Sequence, residues 1–411
     1  MDMEKLRAFW AHRQGLDGAL RGQDPAAVLE RAGWARSVGG VGPYLTLFAR
    51  AGTSRAAADA AVKGGAIHEL PAARGCTYVV PASDFALALR AGQEFGDGEM
   101  RVAAKLGVTE KEVEALVKAV VKALGAVESA GAAAASGAAP ALDPDAIRAA
   151  TGRASRSLGE EGKKKGLTTT LPLALGRLQR RGTIRRVPVN GRLDQQRYAY
   201  VLWKPNPLAK EKRTTGEALT DLARRYFRWV GPATLGEYGW FAGLGVKATK
   251  EATEPLGLVP AEPGGDRLLL PEDVAAFRAF KTPAKPQYAL VSSLDSMAAA
   301  RRDLKSLLDA RDLGRKVIAD KIAVPVGGLS DLPSHAILDR GRLVGLWEFD
   351  PEAGAIVWAS FGAKDKALDA AVRDTEAFVR DQLGDARSFS LDSPKSRASR
   401  LKSLREFRPA H

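Results

Sequence analysis

The chain has 411 residues, 45% of them hydrophobic, which is enough to bury several cores and excludes a disordered polymer. A lone cysteine, Cys76, excludes an internal disulfide or a cysteine-rich zinc site, and His12, His68, His335 and His411 lack ligand spacing, so no metal and no cofactor are expected. The 62 Lys and Arg against 48 Asp and Glu leave a charge of +14, and neither a signal peptide nor an apolar run of about 18 residues occurs, so a monomeric cytoplasmic protein without a membrane partner is expected.

TSRAAADAAVKGG followed by AIHELPAARGCTYVVP reads as a helix and a hairpin, which places a first winged helix at residues 1–95. Residues 96–142 read as a helical connector ending in a linker, the uncharged, low-complexity SAGAAAASGAAPAL of 129–142. A second, basic winged helix occupies 143–210. There Leu171, Leu175 and Leu178 recur at spacings of four and three and form one helical stripe. Thr170 is the expected N-cap, Pro172 falls in the first turn, and Gly182 can end the helix with positive φ. Two strands, 184–188 and 195–202, then flank Asn190-Gly191, the favoured centre of a type I′ turn, although the full connection is longer than two residues. Residues 211–285 repeat the plan. GEALTDLARRYFRWVG, PATLGEYGWFAGLG and VKATKEATEPLG supply three helices, and LVPAEPGGDRLLLP a hairpin. The alternating segments of 286–411 read as a small antiparallel sheet or barrel with a covering helix, and SPKSRASRLKSLREF as a basic surface helix. The fold class is α+β, three tandem winged helices followed by a small β domain.

The excess charge is local. Between residues 143 and 205 stand fourteen basic and five acidic residues, an excess of nine. Such asymmetry is the footprint of a polyanion site, because each neutralised phosphate releases condensed counterions. Double-stranded DNA is the expected partner, held mainly through phosphate and hence with little sequence preference. In a winged helix the helix before the wing commonly enters the major groove, and its N-terminal amides can hold a phosphate. The candidate DNA-binding residues are therefore Lys163, Lys164 and Lys165 before that helix, Thr168, Thr169 and Thr170 at its start, and Arg177, Arg180 and Arg181 along it. Arg185, Arg186, Arg192 and Arg197 decorate the wing, and Arg224, Arg225 and Arg228 are backbone-contact candidates in the third unit. GLGVKAT follows a helix rather than a strand and reads as a turn, and no Walker, GxSxG or kinase motif is present.

HRQGL at 12–16, GPYLTLFARAG at 42–52, RGCTYVVPASD at 74–84, LARRYFRWVGPATLGEYGWFAGL at 222–244 and RLVGLWEF at 342–349 together resemble the AlkZ-like winged-helix DNA glycosylases. The resemblance implies three winged helices and a β domain around a basic DNA channel, and removal of alkylated purines or unhooking of crosslinks. It also implies a Gln-x-Gln or Gln-x-Asp motif that holds the hydrolytic water just upstream of the helix starting at Pro43-Tyr44-Leu45. Alignment on that helix puts Arg36, Ser37 and Val38 at the motif, so both water holders are replaced. Valine cannot orient water, and Arg36 offers donors only, suited to phosphate. The family's RGT-x-His pattern appears as Arg74-Gly75-Cys76-Thr77-Tyr78, with Arg74 a further DNA contact. The leading expectation is a DNA-binding member linked to alkylation repair whose ordinary activity is lost or altered. The alternatives are a glycosylase with a relocated water holder, Glu69, His68 or Gln14, and a protein-interaction scaffold.

Overall fold

The computed structural model describes residues 2–132, 141–362 and 365–407. The core of the linker expected at 129–142, residues 133–140, lies outside the described residues.

Three stretches of the chain share one order of elements. In the first, helices Pro25–Ala32, Gly42–Ala51 and Arg55–Lys63 precede a hairpin of strands Ile67–Pro71 and Thr77–Pro81. In the second, helices Glu110–Ala132, Pro144–Thr151 and Leu171–Arg180 precede strands Ile184–Pro188 and Tyr198–Leu202, with a short helix Gly159–Lys164 inserted. In the third, helices Thr215–Val230, Leu235–Ala242 and Val246–Thr253 precede strands Val259–Pro260 and Leu268–Leu269. Each time, a segment just after the first helix pairs antiparallel with the hairpin's last strand: Ala35–Arg36 with Tyr78 and Val79, Leu142 with Tyr200, and Ala233 with Leu268.

Local chemistry sets the helix starts. Asp24 and Asp143 each accept amide hydrogens of the first turn, and each precedes a proline whose missing donor is not needed there. Thr214 and Thr234 form capping boxes with Glu217 and Glu237.

The units share cores rather than keeping their own. Val113, Leu116, Val120 and Leu124 of Glu110–Ala132, a helix expected in the connector, pack on Leu171, Leu175, Leu178 and Ile184 of the second stretch. Trp34, Leu70 and Tyr78 of the first stretch join Leu222, Tyr226, Phe227 and Trp229 of the third. Four of the remaining strands form an antiparallel sheet in the order Ala355–Ser360, Arg342–Asp350, His335–Asp339, Tyr288–Val291, and Lys316–Ala319 pairs with Ile322–Pro325 in a separate hairpin. Helix Lys366–Phe378 covers one face, where Leu368, Val372 and Phe378 meet Leu290, Ile337 and Phe349 together with Tyr44 and Leu45 of the first stretch. The other face buries Leu404 of the terminal helix Pro394–Glu406 and, from the N-terminal helix Met3–Arg13, Leu6, Phe9 and Trp10.

That terminal helix is not the simple surface helix its composition suggests. Arg397 is fully buried against Asp385, and Arg400 joins Glu348 and Asp392. Its cations serve as internal ties. Among the described residues, no helix is long and apolar enough to cross a membrane.

Candidate nucleic-acid interface and the cleft beside it

Helix Leu171–Arg180 turns its leucine stripe inward as expected: Leu171, Leu175 and Leu178 are buried and Gly182 has φ +63°. Its start differs. Thr170 is fully buried, has a helical backbone and accepts a hydrogen bond from the Arg156 amide instead of capping the helix. Competition from the adjacent chain, which also receives the Thr170 amide at the Arg156 carbonyl, takes the hydroxyl away. The first-turn amides are thus left without a side-chain cap among the described residues.

The arginines on this helix are not a free cationic face. Arg177 binds Glu110 at 2.7 Å and Glu114 at 2.8 Å, and Arg181 reaches the same Glu114 at 2.7 Å. The Arg181 and then the Arg177 hydrogen bonds hold the Glu114 carboxyl down at about 2. Both acids belong to Glu110–Ala132, so the neighbouring helix supplies the counter-charge. Lys163 and Lys164 make exposed pairs with Glu160 and Glu161 at 3.8 and 3.0 Å, which are weak contacts. Lys165 is exposed and has no ion pair among the described residues.

The expected wing is also partly internal. Its strands pair Ile184 with Leu202 through Pro188 with Tyr198, and residues 189–197 form the longer connection that the sequence suggests, without a type I′ centre. Gly191 has φ +73°, but Asn190 is not in the left-handed region that type I′ requires. The cause is Leu193, fully buried in the core shared by the first stretch and the sheet, with its amide bonded to the Tyr44 hydroxyl at 3.0 Å. Arg192 pairs with Asp194 at 2.6 Å and donates to the Leu383 carbonyl. It clamps the loop down and is not presented outward. Arg185 is half-buried, and Arg197 is exposed.

Between the first hairpin and the second stretch lies a cleft of about 400 Å³. Pro71, Gly75 and Thr77 form one wall; Thr168, Thr169, Leu171, Pro172, Leu175, Gly176 and Gln179 form the other; Glu99, Pro144, Arg148, Arg180, Arg186 and Tyr200 complete the lining. Arg180 lies across Gly96, where an added Cβ would come within 2.2 Å of its Nη2.

Beside Arg186 sits a buried polar cluster. Ser37, at the middle of the expected motif, is 2% exposed and donates a short hydrogen bond to Glu69. Glu69 is 3% exposed and pairs with Arg186 at 3.1 Å. The Arg186 guanidinium stacks over Tyr198, 4.4 Å from the ring centre. Burial, and then the charge of Glu69, raises the Tyr198 pKa. Among the described residues, Arg186 Nε has no hydrogen-bond partner, and Glu69 Oε2 meets the Arg186 guanidinium in the ion pair alone. A carboxylate and a guanidinium buried together are costly unless they pair, and here they do. Strand register explains the meeting: Ala35 and Glu69 both face Val79 across the sheet, which puts Ser37 and Glu69 on one side. The sequence signal is Glu69 itself, a carboxylate inside the short, buried strand IHELP.

The other candidates separate from this cluster's chemistry. His68 stacks edge-on against Trp203 and Phe85, and burial, reinforced by Arg185 and Arg186, lowers its pKa to about 3. It is neutral and shut away from solvent water. Gln14 is fully buried in a different place, where it accepts hydrogen bonds from Arg50 and Ser296 beside the Arg50–Asp295 ion pair. It ties the N-terminal helix to the C-terminal region. Arg36 lies over Tyr78 at 5.3 Å, and Arg74, with φ +56°, over Trp240 at 3.6 Å. In the third stretch Arg224 and Arg228 share Glu272, and Arg225 binds Asp84.

A family model described as DNA glycosylase AlkZ-like matches residues 40–380, starting just after the Arg36-Ser37-Val38 stretch. Among solved structures, the Streptomyces sahachiroi DNA glycosylase AlkZ is similar with a TM-score of 0.65 and 17% identity, covering 94% of this chain and 98% of that one. No curated protein matches. The structural likeness is one of fold.

Proposed function

Because the chain belongs to the AlkZ-like DNA glycosylase family, we propose that it binds duplex DNA through three winged helices and hydrolyses the N-glycosidic bond of an alkylated purine. The three stretches of common element order support the winged-helix assignment, with the second unit enlarged by Glu110–Ala132. A cleft of about 400 Å³ suits an extruded nucleotide, since ligand sites commonly enclose roughly 300–1,000 Å³.

The observation that carries the reading is the Ser37–Glu69 contact at the expected motif position. An N7-alkylated purine leaves readily because the electron pair of the breaking C1′–N9 bond neutralises its positive charge. What remains is to aim a water at C1′ and accept its proton while positive charge develops on the sugar. A carboxylate fits that task better than valine or arginine: Glu69 accepts the proton and its charge stabilises the oxocarbenium ion. Ser37 orients Glu69, and Arg186 is its counter-ion.

A second reading, DNA binding without hydrolysis, is favoured by the small exposure of Glu69 and its pairing with Arg186. The deciding experiment is incubation with an N7-methylguanine duplex followed by alkali. Scission by the wild type, lost in Glu69→Gln and reduced in Ser37→Ala with circular dichroism unchanged, supports hydrolysis. Salt-dependent binding without scission leaves the second reading, and absence of binding at low salt removes both.

A further inference from the structure

The loop between helix Lys366–Phe378 and helix Pro394–Glu406 carries two large apolar side chains in water. Leu391 is 85% exposed and Phe389 43%, while Ala386, Ser388 and Asp392 around them are buried. Their base is fixed. Ser388 binds Ser293 at 2.9 Å, the Ser388 amide donates to Asp392 at 3.3 Å, and the Asp392 amide donates to the Phe389 carbonyl at 3.0 Å. The loop is also bonded to the stretch that bears the motif positions, through the Ser390 amide on the Val38 carbonyl at 3.3 Å and the Val41 amide on the Arg387 carbonyl at 2.8 Å. Gly40 permits this approach: a Cβ there would lie 2.3 Å from the Arg387 and Ser388 carbonyl oxygens.

Exposed leucine and phenylalanine gain nothing from water, and a rigid support holds them out rather than letting them fold back. We propose that Phe389 and Leu391 form a wedge that enters the base stack of duplex DNA and fills the gap left by an extruded nucleotide. This rests on the DNA-binding reading above. Proteins that open a duplex commonly insert an apolar side chain between base steps, which offsets part of the unstacking cost. The position favours a base stack over a protein surface, because the pair stands directly beside the candidate water-holding stretch, and the exposed Lys395 flanks it with positive charge suited to a neighbouring phosphate.

The test uses a duplex with 2-aminopurine next to an N7-methylguanine or an abasic analogue, because this base brightens when unstacked. The full-length wild type is expected to bind and brighten it severalfold. Phe389→Ala with Leu391→Ala should bind with an unchanged salt slope but without brightening, and Leu391→Met should retain it. Both positions are exposed, so the melting temperature should not move. Brightening that survives in the double variant, or wild-type binding with none, overturns the wedge while leaving DNA binding intact. Failure of the wild type to bind any duplex overturns the underlying reading as well. A double variant that loses only self-association or capture of a protein, with brightening kept, assigns the patch to a protein contact and overturns the wedge.

Discussion

The two sides of helix Leu171–Arg180 carry similar residues in different settings. On the side facing Glu110–Ala132, Arg177 and Arg181 close onto Glu110 and Glu114 in a compact ion-paired seam. On the other side, Thr168, Thr169 and the uncapped first turn open onto a cleft lined by Glu99 and Arg180, by Arg148, which pairs with Asp145 at the surface, and by Arg186, which pairs with the buried Glu69. A local excess of nine positive charges locates a basic unit, but the pairing partners decide which face of it can meet a polyanion. Those partners lie more than sixty residues upstream, in a segment that reads as a connector.

The contrast is sharpest in stability. Arg186→Ala breaks a buried pair and leaves Glu69 uncompensated, which is expected to cost about 3–5 kcal/mol in urea melts. Arg181→Ala, at a half-exposed pair, should cost under about 1 kcal/mol. Equal losses would erase the distinction between seam and cleft. Next in size is the middle hairpin's anchor. Leu193→Ala removes a fully buried side chain and should destabilise by about 2–5 kcal/mol, whereas a free wing would tolerate it.

DNA binding then separates the faces by salt dependence. Changing Lys163, Lys164 and Lys165 together to Ala should lower the slope of log affinity against log salt by up to about 0.9 per lysine that meets phosphate. Arg177→Ala with Arg181→Ala should change it less, because Glu110 and Glu114 already neutralise that seam. A larger effect from the arginine pair would place DNA on the seam.

The smallest effects concern pH. Glu114 titrates near 2 when folded against an ordinary 4.5, so its pairing contributes stability present above about pH 4.5 and lost as pH falls towards 2. Glu114→Gln should flatten that acid limb. His68 is also depressed, from 6.5 to about 3, and here the unfolded chain takes the proton first. Stability is therefore lost as pH falls from 6.5 towards 3, and His68→Phe should remove that part of the slope in melts taken across the window.

Much of the architecture was legible because local signals agree with it. The stripe of Leu171, Leu175 and Leu178 and the Gly182 stop appear at their expected places. What sequence could not supply were the long-range partners. Nothing in VPVNGRLDQQR announces that Leu193 is buried beside Tyr44, and a favoured turn dipeptide yields to that burial. Glu69 was readable as a carboxylate in a short strand, but its contact with Ser37 depends on a register between strands thirty residues apart. The order of the C-terminal strands likewise depends on pairings that alternation alone leaves open.

The most direct measurement is single-turnover release of N7-methylguanine from duplex DNA by the wild type and by Glu69→Gln, with binding of both quantified on the same substrate. The account predicts base release by the wild type and a loss of about 100-fold or more in the variant at nearly unchanged affinity. Equal rates in the two proteins, or tight binding by the wild type with no base released, would contradict it.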